Sequence, residues 1–321
     1  MNNNMNAASG STIKHTVTTK TTSITRNTNH LDAVKKEDSR IEKNYNCYYS
    51  TGTYQSRYPS VNQQTLSIIL TSLQHMSSQQ VTRIFDYGCG EGRYLCHLLP
   101  AYPCAHFTAY DISSKPLETL ANTLVNIEQI SRVDIVYGEE ALQQYLHAPL
   151  LGTASDTTNN LVGLDDTLLK IKSAEKFSLV LLLFGVLSHV PTAEQRHRLL
   201  NTLRDSLAPQ NGRLILSVPN KARRFFSLQR KMQSHEITYS RTIKQQTIDF
   251  YYYLYDAESI QKEIQAAGLD IINVEAESVL PESWVTNYRL LGWIDRQACR
   301  WIPAKWGYGI LVSCKVARTS R

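Results

Sequence analysis

Val81-Thr82-Arg83-Ile84-Phe85-Asp86-Tyr87-Gly88-Cys89-Gly90-Glu91-Gly92-Arg93-Tyr94-Leu95 is the stretch on which the architecture turns. It opens on a short apolar run, Ile84-Phe85 between Val81 and Tyr87, that reads as a buried strand. Three glycines then follow at every second position. After Gly92 the apolar residues recur at helical spacing, with Tyr94, Leu95, Leu98 and Leu99 on one side. Strand, glycine turn and helix form the nucleotide-binding half of a βαβ unit. Glycine suits a backbone that must turn with positive φ and let a ligand approach closely. The helix that follows points its free N–H groups into the turn, which suits a carboxylate or a phosphate.

The spacing narrows the ligand. A dinucleotide fingerprint runs G-x-G-x-x-G. Here the third glycine comes one position early, at Gly92, and Arg93 stands where a packing glycine would. Asp86 ends the strand. A carboxylate there repels a pyrophosphate and attracts an α-amino group or a cationic sulfonium. His106 to Asp111 reads as the second strand, and it too ends in an acid. Asp111 follows the glycines by about 20 residues, where a strand-end carboxylate accepts hydrogen bonds from vicinal ribose hydroxyls.

The run Asp86-x-Gly88-x-Gly90-x-Gly92 resembles the first motif of the class I S-adenosylmethionine (SAM) methyltransferases. The resemblance extends over about residues 45 to 317. Leu207-Ala208-Pro209-Gln210-Asn211-Gly212 matches the turn that precedes the fifth strand of that family. What this implies is an α/β fold: a Rossmann-like, doubly wound, seven-stranded sheet, mostly parallel, with an antiparallel last strand. It also implies SAM as cofactor, held by Asp86, Gly88, Gly90, Gly92 and Asp111. Ile112 and Phe184 would line the same site. Glu139, just after Gly138, resembles the acid that meets the adenine amino group. Arg57, beside a helix expected over Val61 to Leu73, would pair with the methionine carboxylate, or else be a surface arginine next to a packed tyrosine.

The remaining elements follow from periodicity. Val133 to Tyr137 reads as the third strand. Phe177 to Phe184 reads as the fourth, apolar on both faces as a central parallel strand is. Arg213 to Val218, Leu269 to Val279 and Gly309 to Val316 complete the seven. Ser114 to Ile127, Thr192 to Leu207 and Ala257 to Ala267 read as helices, the second opening on a Thr192/Gln195 capping box. The fourth strand exits through Gly185-Val186-Leu187-Ser188-His189-Val190, at the switch point where open α/β sheets bind ligands. His189 is the candidate general base for an acceptor hydroxyl or amine. Its alternative is structural, capping the next helix or lining the adenine pocket. One tyrosine of the 251–255 run, taken as Tyr253, is the second acceptor-side candidate.

Residues 1–44, rich in Asn, Ser and Thr, read as a disordered extension. The methyltransferase domain is expected over 45–321, with an insertion at 148–176, a basic and aromatic acceptor-side segment at 219–256 and a Trp-rich insertion at 281–306 with a helix in it. That last piece holds all four tryptophans and suits an apolar acceptor pocket, a dimer face or a membrane-surface contact. With 42% hydrophobic residues and no apolar run of about 18, no integral membrane segment is expected. The net charge is +6. The window 221–244, with Lys221, Arg223, Arg224, Arg230, Lys231, Arg241 and Lys244 against Glu236 alone, accounts for all of it. The six cysteines form no C-x-x-C pair, so neither zinc nor a disulfide framework is indicated and a reducing cytoplasm is the expected setting. Three functions remain open: methyl transfer to an O or N acceptor of a small molecule or metabolite; tRNA methylation, since Ser188 to Val218 resembles the wobble-uridine enzymes and the basic window would meet phosphates; and a catalytically silent SAM-fold binding protein.

Overall fold

The computed structural model describes residues 39–74, 76, 80–147, 176–243 and 245–317. The expected extension up to residue 38 and nearly all of the 148–176 insertion lie outside them. By its own contacts the chain separates into residues 1–41 and 42–321.

Seven strands form one sheet. In chain order, β1 is Arg83–Tyr87, β2 His106–Asp111, β3 Val133–Tyr137, β4 Leu179–Leu182 and β5 Arg213–Pro219. β6 (Glu236–Ile243) and β7 (Gln246–Tyr253) stand apart as a hairpin, and β8 (Leu269–Ser278) and β9 (Gly309–Val316) complete the main sheet. Its order is β3-β2-β1-β4-β5-β9-β8, with β9 antiparallel to both its neighbours and the other pairings parallel. The winding reverses between β1 and β4. Asp86 pairs with Ala109 on one side and Leu181 on the other, which sets its carboxylate at the carboxyl edge of the sheet beside that reversal.

The period of two along each strand divides the core into two layers. Ile84, Phe107, Ala109, Leu179, Leu181 and Ile215 face one side. Phe85, Tyr110, Val180, Leu182, Leu214 and Leu216 face the other. The first layer is covered by α3 (Gln63–Ser72), α4 (Arg93–Ala101) and α5 (Ser114–Asn126); residues 42–50 and Thr53–Arg57 are the helices α1 and α2 before them. The second is covered by α6 (Glu139–His147), α7 (Ala193–Ser206) and α9 (Ala257–Ala266), with α8 at Phe226–Met232 between them in the chain. Thr192 and Gln195 form both bonds of the expected capping box at the start of α7.

Three elements depart from the sequence reading. The fourth strand is shorter than the apolar run, because Phe177 makes only an isolated bridge to Leu207 and Phe184 leaves the ladder with φ +58°. The segment 219–256, read from the sequence only as basic and aromatic, holds a two-stranded hairpin. Between β8 and β9 lie two helices, α10 (Glu282–Asn287) and α11 (Arg289–Cys299).

Gly92 shows how tightly the first turn is fitted. Its φ is +70°, and a Cβ there would lie 2.4 Å from Leu120 on α5. Gly92→Ala is expected to cost about 1–3 kcal/mol, from the left-handed backbone and the overpacking together. Urea unfolding monitored by circular dichroism would measure it.

Candidate cofactor and acceptor site

The turn after β1 is built from the backbone. Gly88 and Cys89 both donate their N–H to the Tyr110 carbonyl, at 2.8 and 2.9 Å, which ties the turn to the end of β2. Gly88 and Gly90 have φ of +74° and +55°. The bare α-carbon of Gly90 faces the hydroxyl of Tyr49, which a Cβ would approach to 2.5 Å. Cys89 is buried in the turn, and burial pushes its thiol well above the ordinary range, so it fills space as an inert group.

Asp111 closes the turn from the other side. Its carboxylate accepts the N–H of Gly90 at 2.8 Å through one oxygen and that of Ser113 at 2.9 Å through the other. Burial pushes the carboxyl up to about 6, against the backbone donors of Ser113, Gly90 and Ile112. Ile112 is half-buried between these two anchors. Asp86 is also buried. Its carboxyl is pushed up to about 7, first by burial and then by the charge of Asp111, while the Arg93 guanidinium pulls it down. Two buried carboxylates on one glycine turn make a place for a group with hydroxyl donors and a positive charge. A nucleoside carrying a sulfonium and an amino group meets both requirements.

The helix α1 roofs this turn. Asn46 accepts from the Ser113 hydroxyl at 2.7 Å and from the Lys115 N–H at 3.0 Å, which pins α1 to the start of α5. Tyr48 packs with Ile248 and Phe250 of the hairpin. Tyr49 and Tyr54 lie 4.6 Å apart between ring centroids. Arg93 donates to the Tyr54 hydroxyl and lies 4.3 Å from the centre of the Phe184 ring, which also meets Tyr54, Tyr58 and Tyr94. Arg57 reaches the same Tyr58 ring as Arg93, the two guanidiniums lying 5.5 and 5.7 Å from its centre. Of the two, Arg93 is the one whose charge acts on Asp86. Glu139 begins α6, exposed, with its carboxylate held by the Tyr110 hydroxyl at 3.2 Å and the Gln143 amide at 2.6 Å.

His189 ends the one-turn helix Val186–His189 after β4. Its Nδ1 lies 2.8 Å from the Tyr251 carbonyl, and its Nε2 lies 2.8 Å from the Tyr45 hydroxyl. A carbonyl only accepts, so Nδ1 carries the proton and the bare Nε2 accepts from Tyr45. Burial holds the imidazole down to about 4, with the Tyr251 carbonyl opposing and Arg224 assisting, so the ring is neutral at physiological pH. Tyr252 lies 4.3 Å from it, and Tyr252 in turn meets Tyr239 and Phe225. Tyr253 does not join this group. The alternation along β7 turns it to the opposite face, where the Arg196 guanidinium lies 3.9 Å from its ring centre.

Tyr45, Tyr49, Arg93 and Tyr252 are the site-facing residues that the sequence reading did not single out. The signal for the first two was the spacing of Tyr45, Tyr48 and Tyr49, which puts them on one helical face. For Arg93 it was adjacency to the third glycine. Among the described residues, no group of three or more His, Cys, Asp or Glu is placed to hold a metal ion. None of the described helices is long and apolar enough to cross a membrane.

A doubly wound sheet with its last strand antiparallel, a glycine turn after β1 and acids ending β1 and β2 define a class I SAM-dependent methyltransferase, with SAM as its cofactor. The chain belongs to the methyltransferase domain family, whose model matches residues 56–274. In structure it is similar to an S-adenosylmethionine-dependent methyltransferase from Clostridium acetobutylicum ATCC 824, at 12% identity over 85% of this chain and 100% of that one, with a TM-score of 0.54. It is also similar to the CcbJ methyltransferase from Streptomyces caelestis, at 11% identity over 81% and 91% of the two chains, with a TM-score of 0.53. At these identities the likeness concerns the fold alone. No curated protein matches the chain in sequence.

Proposed function

We propose that this methyltransferase transfers the methyl group by in-line displacement to an oxygen or nitrogen of a small molecule held between α1, the β6–β7 hairpin and His189. The observation that carries this reading is the neutral His189–Tyr45 pair set in an aromatic wall with Phe250 and Tyr252. Bound SAM supplies a methyl made electrophilic by a positively charged sulfur. The residues of this chain hold and orient it. Asp111 accepts the ribose hydroxyls with the lone pairs that Gly90 and Ser113 leave free. Asp86 answers the positive charge of the methionine part, and Arg93 its carboxylate. Ile112, Phe184 and Glu139 bound the nucleoside.

On the acceptor side, the bare Nε2 of His189 is the proton sink, reached through the Tyr45 hydroxyl. That hydroxyl takes a proton from the acceptor as it passes its own to the imidazole. Tyr252 and Phe250 exclude water from the pair. Tyr45→Phe and His189→Ala are each expected to lower kcat by about 10²–10⁴-fold while leaving the SAM dissociation constant within about threefold. A fall in SAM affinity that matches the fall in rate would assign the pair to the cofactor pocket.

The basic window favours a small acceptor over an RNA. Three of its cations are engaged with groups of the protein itself. Arg223 donates to the Trp306 carbonyl, Arg224 lies about equally over the Phe225 and Tyr308 rings, at 5.1 and 5.0 Å, and Lys221 bonds His235. Lys244 lies outside the described residues. Cytoplasmic location accords with the six cysteines, which stand as free thiols. The test is transfer of labelled methyl to an extract split into small-molecule, protein and RNA pools. Label in the small-molecule pool is expected. Label confined to RNA, with binding that weakens steeply in salt, would overturn the reading.

A further inference from the structure

The segment between β8 and β9 puts large apolar side chains on the surface. Trp301 is 87% exposed, Leu290 69% and Trp293 61%, and Trp284, Tyr288, Ile294 and Trp306 are exposed with them. Along α11 this follows a pattern. Leu290, Trp293 and Ile294 fall on one helical face, with Trp301 exposed in the turn just after it, and the buried residues Gly292, Asp295 and Cys299 fall on the opposite face. The apolar face is therefore the outer face, the reverse of a helix that closes a core.

The exposed charges on this segment have one sign. Arg289, Arg296 and Arg300 recur along one flank of the apolar face, and Lys305 follows, with Arg289, Arg300 and Lys305 exposed. The two acids of the segment are turned inward. Asp295 is buried and accepts the N–H groups of Val279 and Leu280, and Glu282 accepts from the Asn62 side chain. An apolar face with tryptophans and a cationic flank is the composition of a helix lying in a bilayer interface. The rings sit at headgroup depth and the arginines reach the lipid phosphates. A second copy of the chain fits less well, because a two-fold interface would set these arginines against one another with no exposed acid on the segment to answer them.

We infer that α11, with Trp284 and Trp306 beside it, docks the enzyme on an anionic membrane surface. The docked face is tied to the cofactor side of the molecule. The Asn287 side chain donates to the Arg57 carbonyl, and the Ser60 hydroxyl donates to the Thr286 carbonyl, so α10 braces the segment that carries Tyr54 and Tyr58. The inference does not depend on which acceptor is methylated.

The test uses the full chain and vesicles of phosphatidylcholine with and without phosphatidylglycerol. Co-sedimentation with the anionic vesicles, a blue shift of tryptophan emission and quenching by brominated lipid are expected. Trp293→Ala with Trp301→Ala is expected to lower the partition coefficient at least about tenfold. Loss of Arg289 and Arg300 is expected to lower it about fivefold each. All these side chains are exposed, so unchanged circular dichroism and SAM affinity should accompany the loss. A full chain that stays in the supernatant with anionic vesicles would overturn the inference. So would dimerisation that the tryptophan pair abolishes, with no quenching by brominated lipid.

Discussion

Asp111→Ala should reduce SAM affinity by at least about a hundredfold, measured by titration calorimetry, in a protein that still unfolds cooperatively. The carboxylate does two things at once. It holds the glycine turn through the Gly90 and Ser113 N–H groups, and in the proposed reading its remaining lone pairs accept the ribose hydroxyls. Removing one partner of a buried, charge-assisted hydrogen-bonded set costs about 2–5 kcal/mol of binding, and the stated factor, about 2.8 kcal/mol, lies inside that range. Folding is less exposed to the change, because a buried carboxyl pushed up to about 6 is itself a burden on the ligand-free state. Asp111→Asn separates the two duties. It keeps the size of the side chain and one accepting oxygen, so the turn should survive better than the affinity does. Wild-type affinity in Asp111→Ala would remove the ribose role.

The central half of this molecule was legible because each local signal agreed with the next. Ile84-Phe85, Leu179 to Leu182 and Leu214 to Leu216 are apolar on both faces, which is what a parallel strand covered by helices requires. The three glycines have no other use than positive φ and close approach, and the structure gives all three positive φ. The hairpin was hidden for a physical reason. Ile237, Tyr239, Arg241 and Ile243 alternate with Glu236, Thr238, Ser240 and Thr242, a clean period of two. Its inward row, however, carries an arginine, whose guanidinium acts on Tyr48 and Tyr239, so the run reads as charge rather than as strand. The choice among the tyrosines of 251–255 failed in a similar way. Tyr252 and Tyr253 are the same residue type, and only the register Thr238↔Tyr251, Ile237↔Tyr252 decides which one meets His189. No sequence feature announces the outward apolar face of α11, since the same spacing serves an inward face equally well.

The affinity for SAM should rise roughly tenfold as the pH is raised from about 6 to about 7.5, from linkage at Asp86. The sign follows from the ligand-free protein, where that carboxyl is pushed up to about 7. Below this value it is mostly protonated, and a cation must drive the proton off before it gains a charged partner. Above it, the anion is already formed. The upper limit of the window stays below the ordinary range of an α-amino group, so the cofactor keeps its charge throughout. Asp111, pushed up to about 6, adds to the slope at the acid end. Stability of the ligand-free protein should run the other way over the same window. A carboxyl whose folded pKa is raised above its unfolded value, about 3.9 for Asp, stabilises the fold while protonated in both states, and that contribution is lost as the pH rises through about 7. His189 runs against it only at lower pH: held down to about 4, it takes stability from the fold as the pH drops below its unfolded value of about 6.5. Asp86→Asn should therefore flatten the pH dependence of SAM binding, weaken binding at pH 7.5 by about the same tenfold, and raise the melting temperature of the ligand-free protein at that pH. Wild-type affinity that stays level across the window, measured beside this variant, would show that Asp86 carries no charge linkage to the cofactor.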